Sequence, residues 1–134
     1  MNETQLARQS LYSILNGDDT LMAGVPGGVH YQQIPQVGEF PAVVYQLQSS
    51  ADSNVLGARA ATGQIWQVRI TAKGDSAAAT GVLLARIDTL LQDATDTQAG
   101  AKLMWRRQGA TDYTETDNGI RYIHQALLFR CWIS

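Results

Sequence analysis

Two histidines, one cysteine and a short acidic run are the residues of this chain whose types could support chemistry. His30 stands beside an expected strand start and His124 lies in the closing strand. Neither has a second His or Cys at metal-ligand spacing, so both read as structural or surface residues, and no metal site is assigned. Cys131 has no possible internal disulfide partner and sits in an apolar run, where it reads as a small buried hydrophobe rather than a thiol nucleophile. Asp112, Glu115 and Asp117 superficially suggest a calcium loop. Counting from Asp112, however, Asp117 occupies the place of the turn glycine and Ile123 the place of the bidentate glutamate. Gly27-Gly28, Gly57 and Gly63 lack the strand, spacing and following helix of a phosphate cradle and read as turns. No Gly-x-Ser-x-Gly elbow occurs, and no residues suggest a nucleophile with its base and orienting group. The reading is therefore no catalytic residue, no cofactor and no enzyme. A hydrolase would need Asp112, Glu115 or His124 gathered in one cleft.

The 134 residues suit a single domain spanning 1–134, long enough to bury roughly two thirds of the unfolded surface without staples. Ten basic and twelve acidic residues leave a net charge of -2, too little positive charge for tight phosphate binding. No basic-then-apolar leader opens the chain, and no apolar run approaches the ~18 residues of a membrane span. The expectation is a soluble protein made in the cytoplasm, with no membrane partner.

Which elements would position these residues follows from periodicity. Leu6, Leu11, Ile14 and Leu15 form one stripe of a helix over 3–16, with Asn2 as N-cap, Gln5 three residues later and Gly17 as its end. Asp18 or Asp19 caps a short second helical turn through Thr20, Leu21 and Met22, which Gly24 and Pro26 stop. Strands follow at 29–32 and, after the Ile34-Pro35-Gln36 kink, at 41–48. The small, polar stretch 49–63 reads as a long projecting loop in which Val55 and Leu56 are the large apolar residues. In the next strand, 64–73, Trp66, Val68, Ile70 and Ala72 alternate with Gln67, Arg69, Thr71 and Lys73, which predicts a half-buried antiparallel strand. Asp75 or Ser76 then caps a helix carrying Ala79, Leu83, Ile87, Leu90, Leu91 and Ala94 at helical spacing. Residues 95–100 read as its polar exit, and 102–134 as one long hairpin. The order α-α-β-β-β-α-β-β predicts an α+β fold: a mainly antiparallel sheet of four to five strands with two main helices packed on one face.

Asn118-Gly119 is the strongest local signal, because the pair tolerates the two positive φ angles of a type I′ turn. A regular ladder from that turn places Tyr113 opposite His124, Trp105 opposite Trp132 and Arg107 opposite Arg130. The last pairing sets like charges against each other. Relief requires either a bulge near Gly109 or a carboxylate from elsewhere, such as another subunit.

The closing strand is apolar on both sides. Ile123, Leu127, Phe129, Cys131 and Ile133 share one face, and Tyr122, Ala126, Leu128 and Trp132 the other. Two helices cover one sheet face, so the second face calls for a partner, and another copy of the chain is the expected one. The candidate interface residues are Tyr122, Leu128, Arg130 and Trp132, with Arg107 beside them and Val55, Leu56 and Arg59 on the long loop.

Several stretches in order resemble the tail completion, or tail terminator, proteins of long-tailed bacteriophages. These are Val29-His30-Tyr31, Ile34-Pro35-Gln36 and Phe40-Pro41-Ala42-Val43-Val44-Tyr45-Gln46, then Gln67-Val68-Arg69-Ile70-Thr71-Ala72 leading into the Ala-rich helix. Asp112-Tyr113, Glu115-Thr116 and Phe129-Arg130-Cys131-Trp132 complete the likeness, which spans about 6–133. Gln32 stands where many relatives have a proline. The resemblance implies a ring, typically of six subunits, assembled in the host cytoplasm, that caps the tail tube at the virion neck. The tail tube protein and the head connector or a head-completion protein would be its partners. DNA would pass through the lumen without sequence-specific binding, and a near-neutral chain suits such a channel. The alternatives are another neck component, such as a head-completion protein, or a small-ligand-binding regulatory α+β domain.

Overall fold

The computed structural model describes residues 2–33, 39–55, 58–74 and 77–134, with the side chains of 51–55, 58–62 and 77–78 outside the description. The elements in chain order are α1 (Glu3–Asn16), α2 (Asp19–Gly24), β1 (Val29–Tyr31), β2 (Ala42–Val55), β3 (Ala58–Lys73), α3 (Ala77–Leu91), β4 (Thr95–Gln98), β5 (Ala101–Asp117) and β6 (Ile120–Ile133). The strands form one six-stranded sheet in the order β1-β2-β3-β6-β5-β4.

The starts of α1 and α2 are those expected from their caps, while Asp75 and Ser76, the expected cap of α3, lie outside the described residues. Asn2 accepts a hydrogen bond from Gln5 N–H at 2.9 Å while its own N–H donates to Gln5 Oε1 at 3.0 Å, a reciprocal capping box. Asp18, rather than Asp19, caps α2 by accepting from Leu21 N–H at 2.9 Å. The same carboxylate accepts from Arg86 Nε at 2.9 Å and Nη2 at 2.6 Å, so it ties the start of α2 to α3. Arg86 is therefore paired across two helices. Its guanidinium holds the Asp18 carboxyl below the ordinary value of 3.8. A depressed pKa stabilises the fold fully above that ordinary value, and the benefit drains away as pH falls through the folded-state value. Asp18→Ala should cost about 1 kcal/mol at neutral pH, mainly through the lost cap, and its gap from wild type in urea titrations should shrink below pH 3.8. The half-exposed ion pair adds less than its bidentate geometry suggests.

One face of the sheet carries the helices. Leu6, Ala7, Leu11 and Leu15 of α1 and Ile87 and Leu91 of α3 pack on Val43, Tyr45, Trp66, Val68, Ile70, Leu103, Trp105, Leu127, Phe129, Cys131 and Ile133. Apolar side chains alone would strand the indole N–H groups, and two buried polar residues receive them. Trp105 Nε1 donates to Ser10 Oγ at 3.0 Å, and Trp66 Nε1 to Gln64 Oε1 at 2.9 Å. Cys131 is buried in this layer, and desolvation pushes its thiol pKa up, so it behaves as a small hydrophobe.

Three features differ from the expected fold. The sheet has six strands, because residues 95–98 of the presumed polar exit form β4, antiparallel to β5 from Thr95↔Met104 to Gln98↔Ala101. A four-residue edge strand of sequence Thr-Asp-Thr-Gln has no apolar alternation to betray it. The pairing of β1 with β2 is parallel, with Val29↔Val43 and Tyr31↔Tyr45, and three residues carry no sequence signal for strand sense. Most of the presumed loop 49–63 is strand backbone, paired from Ser49↔Ile65 to Val55↔Ala58, so β2 and β3 project as a hairpin arm. Ladder bonds need only the backbone, and small polar residues allow them without burial. Register shifts at Leu47/Ser49 and Ser53/Asn54 interrupt the arm.

Candidate functional site

The second sheet face carries no helix, and β6 shows how it is built. Residues 122, 124, 126, 128, 130 and 132 alternate with the core positions and stand beside Lys73, Thr71, Arg69, Gln67, Ile65 and Gly63 of β3. Toward the β5–β6 turn this face is polar. His124 hydrogen-bonds on both sides, through Nε2 to Glu115 Oε1 at 2.6 Å and through Nδ1 to the Thr71 hydroxyl at 2.9 Å. Tyr113 stacks on the imidazole with centroids 4.5 Å apart and receives a long bond from Arg69 Nη1 at 3.4 Å. Arg69, Thr71, Glu115 and His124, with Gln32 and Phe40, line an open concavity of about 580 Å³.

A threonine, a histidine and a glutamate in a row invite a hydrolytic reading, which the surroundings do not support. The Thr71 side chain is buried in a central strand paired on both sides, with Ala42 and His124, so its backbone neighbourhood offers no pair of free N–H donors for an oxyanion. Asp112 faces Gln125 and belongs to the opposite face from Glu115. The run Asp112, Glu115, Asp117 is thus split between two sides of a ladder. Among the described residues, no three His, Cys, Asp or Glu side chains converge as metal ligands. His30 is held by the Gly27 carbonyl in the turn before β1.

At the other end the face is apolar and cationic. Trp132 lies flat across Gly63, where an added Cβ would come within 3.0 Å of the indole ring, and the Arg130 guanidinium covers the ring at 5.0 Å. Met104 stands opposite Trp132. Both keep contact with water, at 43% exposure for Met104 and 37% for Trp132. They border a second concavity of about 670 Å³ that reaches β4. Tyr122 packs on Phe40 at 5.6 Å and is half-buried, as is Leu128. The three apolar residues singled out on this face are therefore not sealed within the subunit.

The hairpin corrects two expected pairings and keeps one. Tyr113↔His124 is as the Asn118-Gly119 turn dictates, and both turn residues have positive φ, 51° and 77°. A bulge between Arg107 and Gly109 then shifts the ladder, so Trp105 faces Cys131 and Arg107 faces Phe129. The shift moves the like-charge contact without abolishing it, since Arg106 now stands opposite Arg130. Arg107 turns to the helix side, where its guanidinium reaches Asp88 at 3.4 Å and its N–H donates to Gln92 Oε1 at 2.7 Å. It is engaged inside the subunit and does not belong to the open face. Met104 and Arg106 take that place, and sequence reasoning missed them because one extra residue inverts every side chain before the bulge. Val55 and Arg59 lie at the end of the hairpin arm with their side chains outside the description, and Leu56 lies outside the described residues.

The family model for tail completion protein gp17 matches residues 9–134, nearly the whole chain. The chain belongs to that family. The expected resemblance is thereby shown, and the chain is a structural component of a phage-type tail or neck. Among solved structures, a chain from the virion of a native gene transfer agent particle is similar at a TM-score of 0.72 and 18% identity, covering 92% of this chain and 90% of that one. A second solved chain is similar at a TM-score of 0.69 and 13% identity, covering 100% of this chain and 97% of its own. At such identities the likeness is one of fold. No curated protein sequence matches. Among the described residues no helix is long and apolar enough to cross a membrane.

Proposed function

We propose that this tail completion protein is a non-enzymatic ring component, six copies of which cap the head-proximal end of the tail tube and join it to the head connector. DNA passes through the lumen. The observation that carries the reading is the helix-free sheet face on which Trp132, Met104 and Tyr113 remain open to solvent in one subunit. A folded monomer that leaves large apolar side chains grouped on one face is built to bury them against something else. Copies of the chain and the tail tube protein are the partners that family membership supports, with Tyr122, Leu128, Arg130 and Trp132 as contacts.

Electron microscopy of the purified chain mixed with tail tubes tests this. Extra density at one end of each tube, and an arrest of tube growth, are the expected results. Bare tube ends together with binding to the head connector would assign the chain to another neck component, such as a head-completion protein.

A further inference from the structure

The sheet has two unfinished edges. On the β2 side, β1 covers only as far as Tyr45, whose carbonyl accepts from Gln32 N–H at 3.0 Å. Beyond it, residues 46–55 pair with β3 alone among the described residues. On the β5 side, β4 ends opposite Met104, and the bonds of Trp105 N–H to Ala94 and Arg107 N–H to Gln92 extend the cover only a little further. From residue 109 to 117, β5 pairs with β6 alone among the described residues. Open strand edges of this length are templates for another strand.

The two edges are complementary. β2 runs antiparallel to β3, β3 to β6 and β6 to β5, so β2 and β5 run in opposite directions at opposite sides of the sheet. Placed edge to edge in neighbouring copies, they meet as an antiparallel pair, the geometry that forms straight ladder bonds. Outward-pointing groups also agree. In β2 the bonds of Val43 N–H and Tyr45 carbonyl to the β1 side fix 43 and 45 as outward, and the register shift at Leu47/Ser49 passes that role to Ser50. In β5 the two-residue turn makes Asp117 and Ile120 exchange bonds, so Ala110, Asp112 and Thr114 point outward. Ser50, opposite Gln64, and Asp112, opposite Gln125, both belong to the helix-covered face. Joining them keeps each face of the sheet continuous across the boundary.

We propose that neighbouring copies join by β-strand addition, with residues 109–116 of β5 in one subunit pairing antiparallel with 46–53 of β2 in the next, and Asp112 opposite Ser50. This rests on the ring reading above and supplies its bonding. The register follows from three constraints. β1 and β4 block pairing at either end, face parity allows shifts of two residues only, and a register two residues further would set Asp112 against Asp52. Asp112 stands in the row of Ile70 and Ser50 in the row of Gln64, so neighbours are offset by six rows (70 to 64). That is about 20 Å along the strands, against about 19 Å across the four strands from β2 to β5. The resulting strand tilt of about 45° is the slant that closed barrels require. The offset also brings the end of one subunit's hairpin arm level with Met104 and Trp132 of the next.

Cysteine pairing tests the register in the full chain. Ser50→Cys combined with Asp112→Cys should give, on mild oxidation, a ladder of intermolecular disulfides on non-reducing gels. Ser50→Cys with Tyr113→Cys, on opposite faces, should give at least tenfold less. Thr114→Pro removes an outward N–H and leaves the bonds to β6, so it should keep the circular dichroism of the fold and lose self-association. Oligomers up to about 1 mM by ultracentrifugation with no ladder, or with equal ladders, or a folded Thr114→Pro that still assembles, would overturn edge pairing and leave the ring reading standing. A chain monomeric over that whole range would overturn both.

Discussion

Trp132→Glu is expected to leave the subunit folded and to abolish its assembly. The indole is 37% exposed, lies over Gly63 and is capped by Arg130. Losing these contacts within the subunit should cost about 1 kcal/mol, the ordinary scale of a single substitution. The interface pays far more, because a carboxylate buried against an apolar partner without a matched cation is penalised by several kcal/mol. Arg130 stands close enough to pair with the new charge, yet both would still have to leave water. Association should weaken roughly 100-fold or more, read by ultracentrifugation and by loss of end density on tail tubes. Urea unfolding of the variant, with a midpoint near wild type, separates this from a folding defect. An oligomer of undiminished affinity would show that the helix-free face is not a contact surface.

Trp105→Ala should be the most damaging substitution in the core. Trp105 is fully buried between β5 and α1, and its indole N–H is satisfied by Ser10. Truncation opens a cavity and strands a buried hydroxyl, for which large-to-small precedents give roughly 3–5 kcal/mol. A domain of this size holds about 5–15 kcal/mol in all, so the urea midpoint should fall by roughly a fifth or more with little change in slope. Trp105→Phe keeps most of the volume and loses the hydrogen bond, and about 1–2 kcal/mol is expected. Equal losses for the two variants would mean that the hydrogen bond, rather than ring packing, dominates at this site.

The same residue shows where sequence reasoning reached its end. The sequence placed Trp105 in the long hairpin of 102–134, and the structure buries it together with Leu103. Which residue of β6 Trp105 faces was set by the bulge at 107–109, and a bulge has no composition of its own. Arg106 and Arg107 exchange roles through that one extra residue. The like-charge conflict in the regular ladder was legible, and so was the need for relief near Gly109. Which arginine would reach Asp88 was not, because Asp88 lies 19 residues away in the chain. The cluster of Thr71, His124 and Glu115 was equally hidden, since its members come from three different strands.

By itself the sequence determined the local elements: the capping box at Asn2 and Gln5, the end of α1 at Gly17, the turn at Asn118-Gly119 and the two-sided apolar pattern of β6. Each depends on residues a few positions apart, whose backbone preferences and periodicity act before any long-range contact forms. Tertiary structure alone decided the sixth strand, the parallel sense of β1, the arm made from 49–63 and the edges of β2 and β5 that find no partner among the described residues. Those depend on backbone groups, which every residue carries alike, so side-chain identities do not announce which of them find partners.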